Sequence, residues 1–576
     1  MPKFYVYAKI VFKGNTKMDY KQHIAKKLVV DGVSEAEIYS AIALPPNSDM
    51  GDYALPCFKF AKVLRKSPVA IAEELKNVYV CDETISEVSA VNGYLNFKVN
   101  KTGLADATLK EVLDAGENYG SSETGKGKTI CIDYSSVNIA KPFHIGHLST
   151  TVIGGALYKI FGFLGYKVVG INHLGDYGTQ FGKLICAYKR WGNRDDVQKG
   201  GIHAINDLYV RFNTEATPEM EAEAREYFRL IESGDKEANE LFEWFKSLTL
   251  EYVKAIYEKL NITFDSYAGE RFYTDKMQSV IDELREKNLL KSSEGAQIVD
   301  LEEYGMPPCL ILRSDGASLY ATRDLAAAEY RKITYDFYKC LYVVAYQQNL
   351  HFKQFFKVLE LMGKEWAKDL VHVAYGMVSL EDGAMSTRKG KVVWLEDVIA
   401  RCEEKAYAVI DEKNHGLENK KEIAQTVGLG AVIFGALYNN KIKDITFSYD
   451  KVLSFEGETS VYVQYTCARA NSVLFKSGVK EKPPKGYEPN AQEFEVIKSI
   501  AAFPETVKDA ADKYEPSVIA RYAVDLAQKY NKFYIDCKIL TAEGETKDFR
   551  LALTRAALQT LKNALKLLGI GVPEKM

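Results

Sequence analysis

Residues 130–171 combine a short strand, a loop, a long helix and a second strand, and this order limits how the chain can fold. Residues 130–134 form an apolar run that is typical of a buried strand. Apolar residues then recur at helical spacing over 145–164, and Lys167–Ile171 is again strand-like. A strand, a helix and a strand make a βαβ unit, which predicts a parallel sheet with ligands at the carboxyl ends of its strands.

Two histidines stand where this helix begins. His144 and His147 are three residues apart, so both can project from one helix face. Gly146 between them lets a flat ligand approach the backbone, and the helix N-terminus attracts anions. The pattern therefore favours a nucleotide phosphate site. A pair of histidines that caps the helix or binds a metal is the alternative.

Longer strings of sequence identify a family. Ser-Ser-Val-Asn-Ile-Ala-Lys-Pro-Phe-His-Ile-Gly-His covers 135–147, and Asn-His-Leu-Gly-Asp-Tyr-Gly-Thr-Gln-Phe-Gly covers 172–182. Together they resemble the arginyl-tRNA synthetases of the class I aminoacyl-tRNA synthetase family. The resemblance implies a ligase that uses ATP with Mg²⁺ as a substrate complex, L-arginine and tRNA(Arg), without a tightly bound cofactor or a protein-bound metal.

Composition adds bounds on the kind of protein. The chain has 576 residues and a net charge of −3, which suits a multidomain globular protein without a globally basic surface. Its nine cysteines include no Cys-x-x-Cys pair, so reduced thiols and a cytoplasmic location are expected. No apolar run approaches the roughly 20 residues of a membrane helix. We expect a monomer that does not bind membranes.

The predicted fold class is multidomain α/β: a Rossmann-like parallel-sheet catalytic domain, a small N-terminal α/β domain and a C-terminal all-α helical bundle. Residues 1–17 are a strand-like extension, interpreted as a dispensable leader or a misassigned start. The resemblance makes 18–105 a tRNA-contacting domain, 126–400 the catalytic domain with an insertion at about 191–263, and 401–576 the anticodon-binding bundle. Strands are predicted at 310–313, 341–345 and 371–374, and only helices beyond about Trp394.

A polar, basic loop at 385–390 resembles the second class I motif, Lys-Met-Ser-Lys-Ser, although Ala384 replaces its first lysine. Such a loop can neutralise departing pyrophosphate. A solvated basic turn is the alternative. We assign that neutralisation to Lys389, Arg388 and Lys141, and catalysis to these cations with His144 and His147. The predicted ATP-binding set is His144, Gly146, His147, Gly376, Met377, Val378, Met385, Ser386 and Thr387.

Recognition of arginine needs fixed carboxylates that match a planar fork of donors. Asp133 at a strand end and Asp324 at a helix start are the candidates, with Tyr320 four residues before Asp324. The resemblance adds Ser135, Asn138, His147 and Gln348. Each has a structural alternative: Asp324 as a helix-dipole acid, Gln348 as a loop polar residue, and Tyr320 as a core ring.

Aromatic residues beside a cation can stack on unpaired bases of RNA. Tyr462 and Tyr465 are near Arg469 in a predicted helix, and burial of both rings is an equal alternative from periodicity alone. The resemblance favours anticodon contacts, with Tyr534 and Met576. Two other functions stay open: a synthetase for another amino acid, and a non-catalytic RNA-binding relative, which only the missing lysine at 384 favours.

Overall fold

The computed structural model describes residues 20–43, 45, 50–314, 320–380, 393–478 and 482–576. The chain forms two compact units. One contains the residues up to Asp114 together with Val479–Ala501 and Lys532–Ala556, and the other contains the rest. No helix in the described ranges is both long enough and apolar enough to span a membrane.

The N-terminal part of the first unit is built around a three-stranded antiparallel sheet of order β1-β3-β2. Asn92 and Gly93, both at positive φ, connect the last two strands, as a tight hairpin requires. Its elements are α1 (Tyr20–Lys27), α2 (Glu35–Ala41), β1 (Tyr53–Pro56), α3 (Ala61–Leu64), α4 (Pro68–Val78), β2 (Ile85–Val91), β3 (Tyr94–Val99) and α5 (Lys101–Ala115).

The second unit is organised on a four-stranded parallel sheet of order β10-β9-β4-β5. Its strands and the helices directly between them are β4 (Thr129–Asp133), α6 (Leu148–Phe163), β5 (Lys167–Ile171), β9 (Lys339–Tyr342), α13 (Asn349–Leu361) and β10 (Leu370–His372). The predicted βαβ unit and the parallel sheet are confirmed. A short 3-10 turn, Ile145–His147, precedes α6 and carries the histidine motif.

Helix α6 is apolar on nearly all sides because the sheet and other helices surround it. Twelve of its sixteen residues are buried. A Cβ at Gly154 would lie 2.2 Å from the Tyr134 ring, so this helix packs directly on the end of β4. The helix ends before Gly165, whose φ of 82° suits glycine.

Between β5 and β9 the chain leaves the parallel sheet. After α7 (Gln180–Trp191), the region predicted as an insertion, about 191–263, contains the helices α8 (Arg194–Glu215), α9 (Pro218–Ser233) and α10 (Lys236–Lys259). After α11 (Met277–Glu286) come β6 (Leu290–Ser293), β7 (Ala296–Val299) and β8 (Cys309–Leu312), followed by α12 (Tyr320–Tyr335). The strand predicted at 310–313 does not resume the nucleotide fold, because β8 pairs antiparallel with β7.

The prediction of helices alone beyond Trp394 is wrong in one place. The short strand β12 (Ile445–Phe447) pairs in parallel with β11 (Val378–Leu380), and the two form a separate two-stranded sheet. The remaining elements are helices: α14 (Leu395–Lys413), α15 (Lys420–Leu437), α16 (Tyr449–Val452), α17 (Ser460–Ser477), α18 (Ala491–Asp512), α19 (Ser517–Asp536) and α20 (Gly544–Leu567).

Candidate active site

The loop between β4 and α6 has an unusual backbone. Ser135, Ser136 and Ala140 all have positive φ, between 46° and 68°. Residues other than glycine adopt this conformation at a cost, and it persists where the surroundings fix it, often at functional sites. The loop thus has a single imposed shape rather than the freedom of a surface turn.

Side chains of α6 and α10 fix this loop. Thr150 accepts a hydrogen bond from the Ser135 amide at 3.0 Å, and Thr249 accepts one from the Ala140 amide at 3.1 Å. The Tyr257 hydroxyl lies 2.7 Å from the Ser135 hydroxyl and accepts from the Asn172 side chain at 2.9 Å. Sequence reasoning missed Thr249 and Tyr257, since they lie more than 100 residues along the chain. The insertion is therefore part of the site's support.

His144 and His147 stand side by side, with ring centroids 3.9 Å apart. The Gly146 amide donates to His144 Nδ1 at 3.0 Å, and the His144 amide donates to His147 Nδ1 at 3.2 Å. A ring nitrogen that accepts carries no proton, so both neutral rings carry theirs on Nε2. Two Nε2–H groups are thereby available as donors.

Both imidazoles are held neutral. Burial, with a smaller contribution from Lys141, lowers the pKa of His144 to about 4. Burial, then His144 and Lys141, lowers the pKa of His147 well below its ordinary value. The rings are therefore neutral hydrogen-bond donors at pH 7, ready for an anion that would raise both pKa values.

Asn138 and the segment after β5 lie against each other. Asn138 forms a parallel bridge with Gly175, whose carbonyl accepts from the Ile139 amide at 3.1 Å. A Cβ at Gly175 would lie 2.3 Å from the Asn138 side-chain oxygen, so only glycine permits this approach. The two strings that suggested the family are thus in direct contact.

The predicted arginine-binding residues Asp324, Tyr320 and Gln348 lie at or near the carboxyl edge of the sheet. Asp324 in α12 bonds to His351 Nε2 at 2.6 Å. Burial would raise the pKa of Asp324, but the hydrogen bond and charge of His351 hold it below its ordinary value. The carboxylate is therefore ionised at neutral pH. Tyr320 begins α12 and is 66% exposed, which argues against its being a core ring, and Gln348 is exposed just after β9.

Asp133 has a different partner from the one predicted. Its carboxylate lies 2.7 Å from the guanidinium of Arg331, whose side chain is 1% exposed, and it accepts a hydrogen bond from Ser136 at 2.8 Å. A buried arginine needs such a counter-ion, and Arg331 lies beside Asp133 in space although it is 198 residues later in the sequence. The structure therefore places Asp133 in an internal ion pair rather than as an open acceptor.

Glu270 is an acidic residue near Asp324 that sequence reasoning missed. It follows the insertion, and its amide donates to the carbonyl of Leu174 at 2.9 Å. Burial, together with Asp324 and Asp176 and against the opposite effect of Arg323, raises its pKa to about 7. Glu270 Oε2 and Arg323 Nε are 3.7 Å apart, too far for a hydrogen bond. No sequence signal marks this residue.

The segment predicted to bind adenine is partly occupied by the chain itself. The Gly376 amide donates to Lys441 O at 2.7 Å, and the Met377 amide donates to Asp444 Oδ1 at 2.7 Å. Met377 O accepts from Ile445, so Met377 directs both of its polar groups to β12. Because successive strand residues alternate, Val378 directs its N–H and C=O to the opposite edge, next to the 3-10 turn of the histidines.

The predicted tRNA-binding residues lie on the C-terminal helices. Tyr465 is 36% exposed, with the Arg469 guanidinium 5.0 Å from its ring centre. The Tyr462 hydroxyl accepts from the Asn531 side chain at 2.9 Å, so its polar end is engaged. Tyr534 is 39% exposed, and Met576 packs on a small apolar cluster of α14, α15 and α17. The exposed Tyr465 ring beside the half-buried Arg469 is compatible with the stacking alternative for that ring.

Two groups of predictions cannot be compared with the structure. The basic loop residues Met385, Ser386, Thr387, Arg388 and Lys389 and the extension 1–17 lie outside the described residues. Lys141 is described and is half-buried, and its charge reaches both histidines.

Three protein-family models together match most of the chain from residue 18 onward. The model described as tRNA synthetases class I (R), catalytic domain, matches residues 108–449. The DALR anticodon binding domain matches 463–576, and the arginyl tRNA synthetase N terminal domain matches 18–99.

Individual relatives agree over their full length. The arginine–tRNA ligase of Clostridioides difficile is 54% identical and that of Alkaliphilus metalliredigens is 51% identical, each over 97% of this chain and 100% of the relative. The solved arginyl-tRNA synthetase of Thermus thermophilus superposes with a TM-score of 0.79 at 27% identity, over 93% of this chain and 96% of that one. With the histidine pair at the end of a parallel strand and acidic residues nearby, these matches show that the chain belongs to the arginyl-tRNA synthetases, the class I arginine–tRNA ligases.

Proposed function

We propose that this chain activates L-arginine with ATP to arginyl-adenylate and transfers the arginyl group to tRNA(Arg), with Mg²⁺ entering on ATP. The observation that carries the proposal is the adjacent pair His144 and His147 after the carboxyl end of β4, together with the neighbouring acidic residues Asp324 and Glu270. Neutral donors suit the phosphates, and acidic groups suit the guanidinium.

In the activation step the carboxylate of arginine attacks the α-phosphorus of ATP and pyrophosphate leaves, so the protein needs no nucleophile. Alignment of two bound reactants can be worth about 7–11 kcal/mol. The Nε2–H groups of His144 and His147 donate to phosphate oxygens as negative charge grows, and the Val378 backbone receives adenine. Gly146 leaves room for the nucleotide beside the helix N-terminus.

Cations near the phosphates complete the charge balance. We assign Lys141 to this role, because it is close enough to lower the pKa of both histidines and therefore adds positive potential where they act. Arg388 and Lys389 are proposed to share the work on the pyrophosphate side. This division compensates for the alanine at 384.

On the amino-acid side, Asp324 and Glu270 are proposed to bind the guanidinium, with Tyr320 covering it. Ser135, Asn138 and Gln348 are proposed to orient the amino-acid end of the substrate. Asp133 acts indirectly in this scheme, because it neutralises the buried Arg331.

For the transfer step, a ribose hydroxyl of tRNA attacks the adenylate carbonyl and AMP leaves. Tyr465 with Arg469 is proposed to stack on an anticodon base, and Tyr462, Tyr534 and Met576 are proposed to contact the same arm.

We propose that the protein acts as a monomer, which light scattering at assay concentration would test.

ATP–pyrophosphate exchange tests the whole assignment. The chain is assayed with each of the twenty amino acids, with and without tRNA(Arg), and charging of tRNA(Arg) is measured in parallel. We expect exchange with arginine alone, and only when tRNA is present. Exchange with another amino acid would contradict the substrate, strong exchange without tRNA would contradict the tRNA requirement, and no exchange or charging at all would contradict the proposed reaction.

A further inference from the structure

Trp394 is joined through its backbone to the histidine motif. It forms an antiparallel bridge with His144. On either side of that bridge the Ile145 amide donates to Val393 O at 3.2 Å, and the Leu395 amide donates to Phe143 O at 3.0 Å. The backbone of 393–395 therefore sets where the backbone of 143–145 lies.

The indole ring of Trp394 is held by two residues of the helical insertion. The His203 ring on α8 stacks on it, with centroids 4.1 Å apart and an interplanar angle of 29°. The Tyr252 ring on α10 meets it edge-on at 5.8 Å and 83°. His203 Nε2 is also 3.1 Å from Glu396 Oε1, so it is linked to the start of α14 as well. We call His203, Tyr252 and Trp394 the aromatic clamp.

A kink in α8 accompanies the position of His203. Gly201 has φ 55° and ψ −135°, a conformation that favours glycine, in the middle of an otherwise helical segment. The direction of α8 changes there, two residues before His203. An uninterrupted helix would direct the side chain at position 203 elsewhere, so the kink at Gly201 allows His203 to stack on Trp394.

Tyr252 contributes its ring rather than its hydroxyl. The Tyr252 hydroxyl oxygen is buried and has no hydrogen-bond partner in the part of the chain that the structure describes. Its side chain therefore contributes through the edge-on contact with Trp394 and the neighbouring His203 ring, 6.2 Å away. This separates the role of Tyr252 from that of Tyr257, whose hydroxyl holds the loop.

We propose that His203 and Tyr252 are positioning residues for arginine activation: they fix the Trp394 ring, and the Trp394 backbone in turn fixes His144. The inference rests on the proposed function, since it assigns His144 to the phosphates. Errors of about 1 Å in the placement of catalytic groups can lower a rate by up to about 100-fold. The clamp thus couples the insertion to the chemical step through the backbone of Trp394.

The test compares the full-length enzyme with single variants in arginine-dependent exchange in the presence of tRNA(Arg). We expect Trp394→Ala and His203→Ala to lower kcat roughly tenfold or more, with less than about a threefold change in the KM for ATP, because transition-state placement suffers more than ground-state binding. His203→Phe should restore most of kcat, since a flat ring still stacks. Tyr252→Phe should keep the kcat of the unaltered chain, because its ring remains, and Tyr252→Ala should lower kcat.

Trp244→Ala is the matched control. Trp244 is also on α10 and packs on Tyr188 at 5.4 Å, in the insertion but without a bridge to His144. Its removal costs ring packing and a hydrogen bond to Gln198, both within the insertion, so the kcat of Trp244→Ala should stay within about twofold. Near-normal kcat in both Trp394→Ala and His203→Ala, or an equal loss in Trp244→Ala, would overturn the clamp. Because the unaltered chain is assayed first, its lack of arginine-dependent exchange would instead refute the proposed function.

Discussion

The two halves of the active site are built in opposite ways. The phosphate half, residues 135–147, is held by hydrogen bonds to its backbone, and it contributes none of the buried side-chain polar atoms that lack a partner among the described residues. The amino-acid half, around Asp324 and Glu270, contains three buried polar atoms without a hydrogen-bond partner among the described residues: Glu270 Oε2 and Arg323 Nε and Nη1.

This difference indicates where binding energy is available. Buried polar atoms without partners cost about 1–3 kcal/mol each, and they are rare in native proteins unless a ligand or water completes them. The phosphate half is already organised for charge that develops during the reaction, as electrostatic catalysis requires. In the amino-acid half a cationic substrate can donate to Glu270 Oε2, whereas the Arg323 N–H groups need an acceptor such as a carboxylate. Specificity should therefore depend on the second half, and rate on the first.

Removing the Asp324 carboxylate should produce the largest change in specificity. Loss of one partner of a buried charged pair costs about 2–5 kcal/mol, so Asp324→Asn should lower kcat/KM for arginine by a factor of roughly 30 to several thousand. The KM for ATP should barely change. Steady-state exchange with tRNA(Arg) measures both.

Asp336→Asn, at an exposed position just after α12, is the control and should leave kcat/KM unchanged. If Asp324 were a helix acid, its loss would affect stability by only about 0.3–1 kcal/mol. An Asp324→Asn enzyme with a lower melting temperature and near-normal kcat/KM for arginine would place the guanidinium site elsewhere.

Substitution of Asp133 should change folding stability rather than arginine binding, because the Asp133 carboxylate is already paired with the buried Arg331. Asp133→Asn leaves a buried guanidinium without its counter-ion, which typically costs about 3–5 kcal/mol of folding stability. Urea unfolding should show this loss, while the folded variant should keep a KM for arginine within a few-fold. A normal unfolding midpoint with a greatly raised KM for arginine would restore Asp133 as a direct substrate ligand.

The sequence was informative wherever structure is local. The period of apolar residues located β4 and β5 to within one residue and α6 to within three, and charged and amphipathic stretches between about 191 and 263 indicated helices because they replaced the alternation of strands and helices. The position of His144 and His147 at the start of a helix followed from the same pattern.

Contacts between residues that are far apart in the sequence could not be predicted from local patterns. The strand β12 is only three residues long and is defined by its pairing with β11, which a local pattern does not contain. Asp133 was predicted to bind the substrate because nothing in the sequence around Arg331, almost 200 residues later, indicates that this arginine is buried beside it. Thr249, Tyr257 and Glu270 were missed for the same reason: their roles come from tertiary contacts.

Lys141 tests the phosphate half. Lys141→Ala should lower kcat for activation by roughly tenfold to a hundredfold and change the KM for arginine little, because phosphate charge grows towards the transition state. Pre-steady-state exchange gives both values. Lys167→Ala, at the amino end of β5 and so at the opposite edge of the sheet, is the control. An unchanged kcat in Lys141→Ala would remove Lys141 from the catalytic set.

The smallest expected effect is a pH dependence in the amino-acid half. Glu270 has a pKa of about 7, so near pH 6 it is mostly protonated and must lose its proton before it pairs with the guanidinium. The KM for arginine should therefore fall a few-fold between pH 6 and pH 8, and Glu270→Gln should remove this slope. Glu286→Gln, an exposed acid at the end of α11, should keep it.

The pH dependence of folding stability tests the ionisation of Glu270 independently of arginine binding. The pKa of Glu270 is higher in the folded chain than its ordinary value of 4.5, so the folded state holds the proton more tightly, and folding stability falls as pH rises from 4.5 through about 7. Glu270→Gln should thus raise the melting temperature at pH 8 and have little effect at pH 5. A variant that melts lower at pH 8 would mean that the ionised carboxylate stabilises the empty site, and the contrast between a satisfied half and an unsatisfied half would fail at this residue.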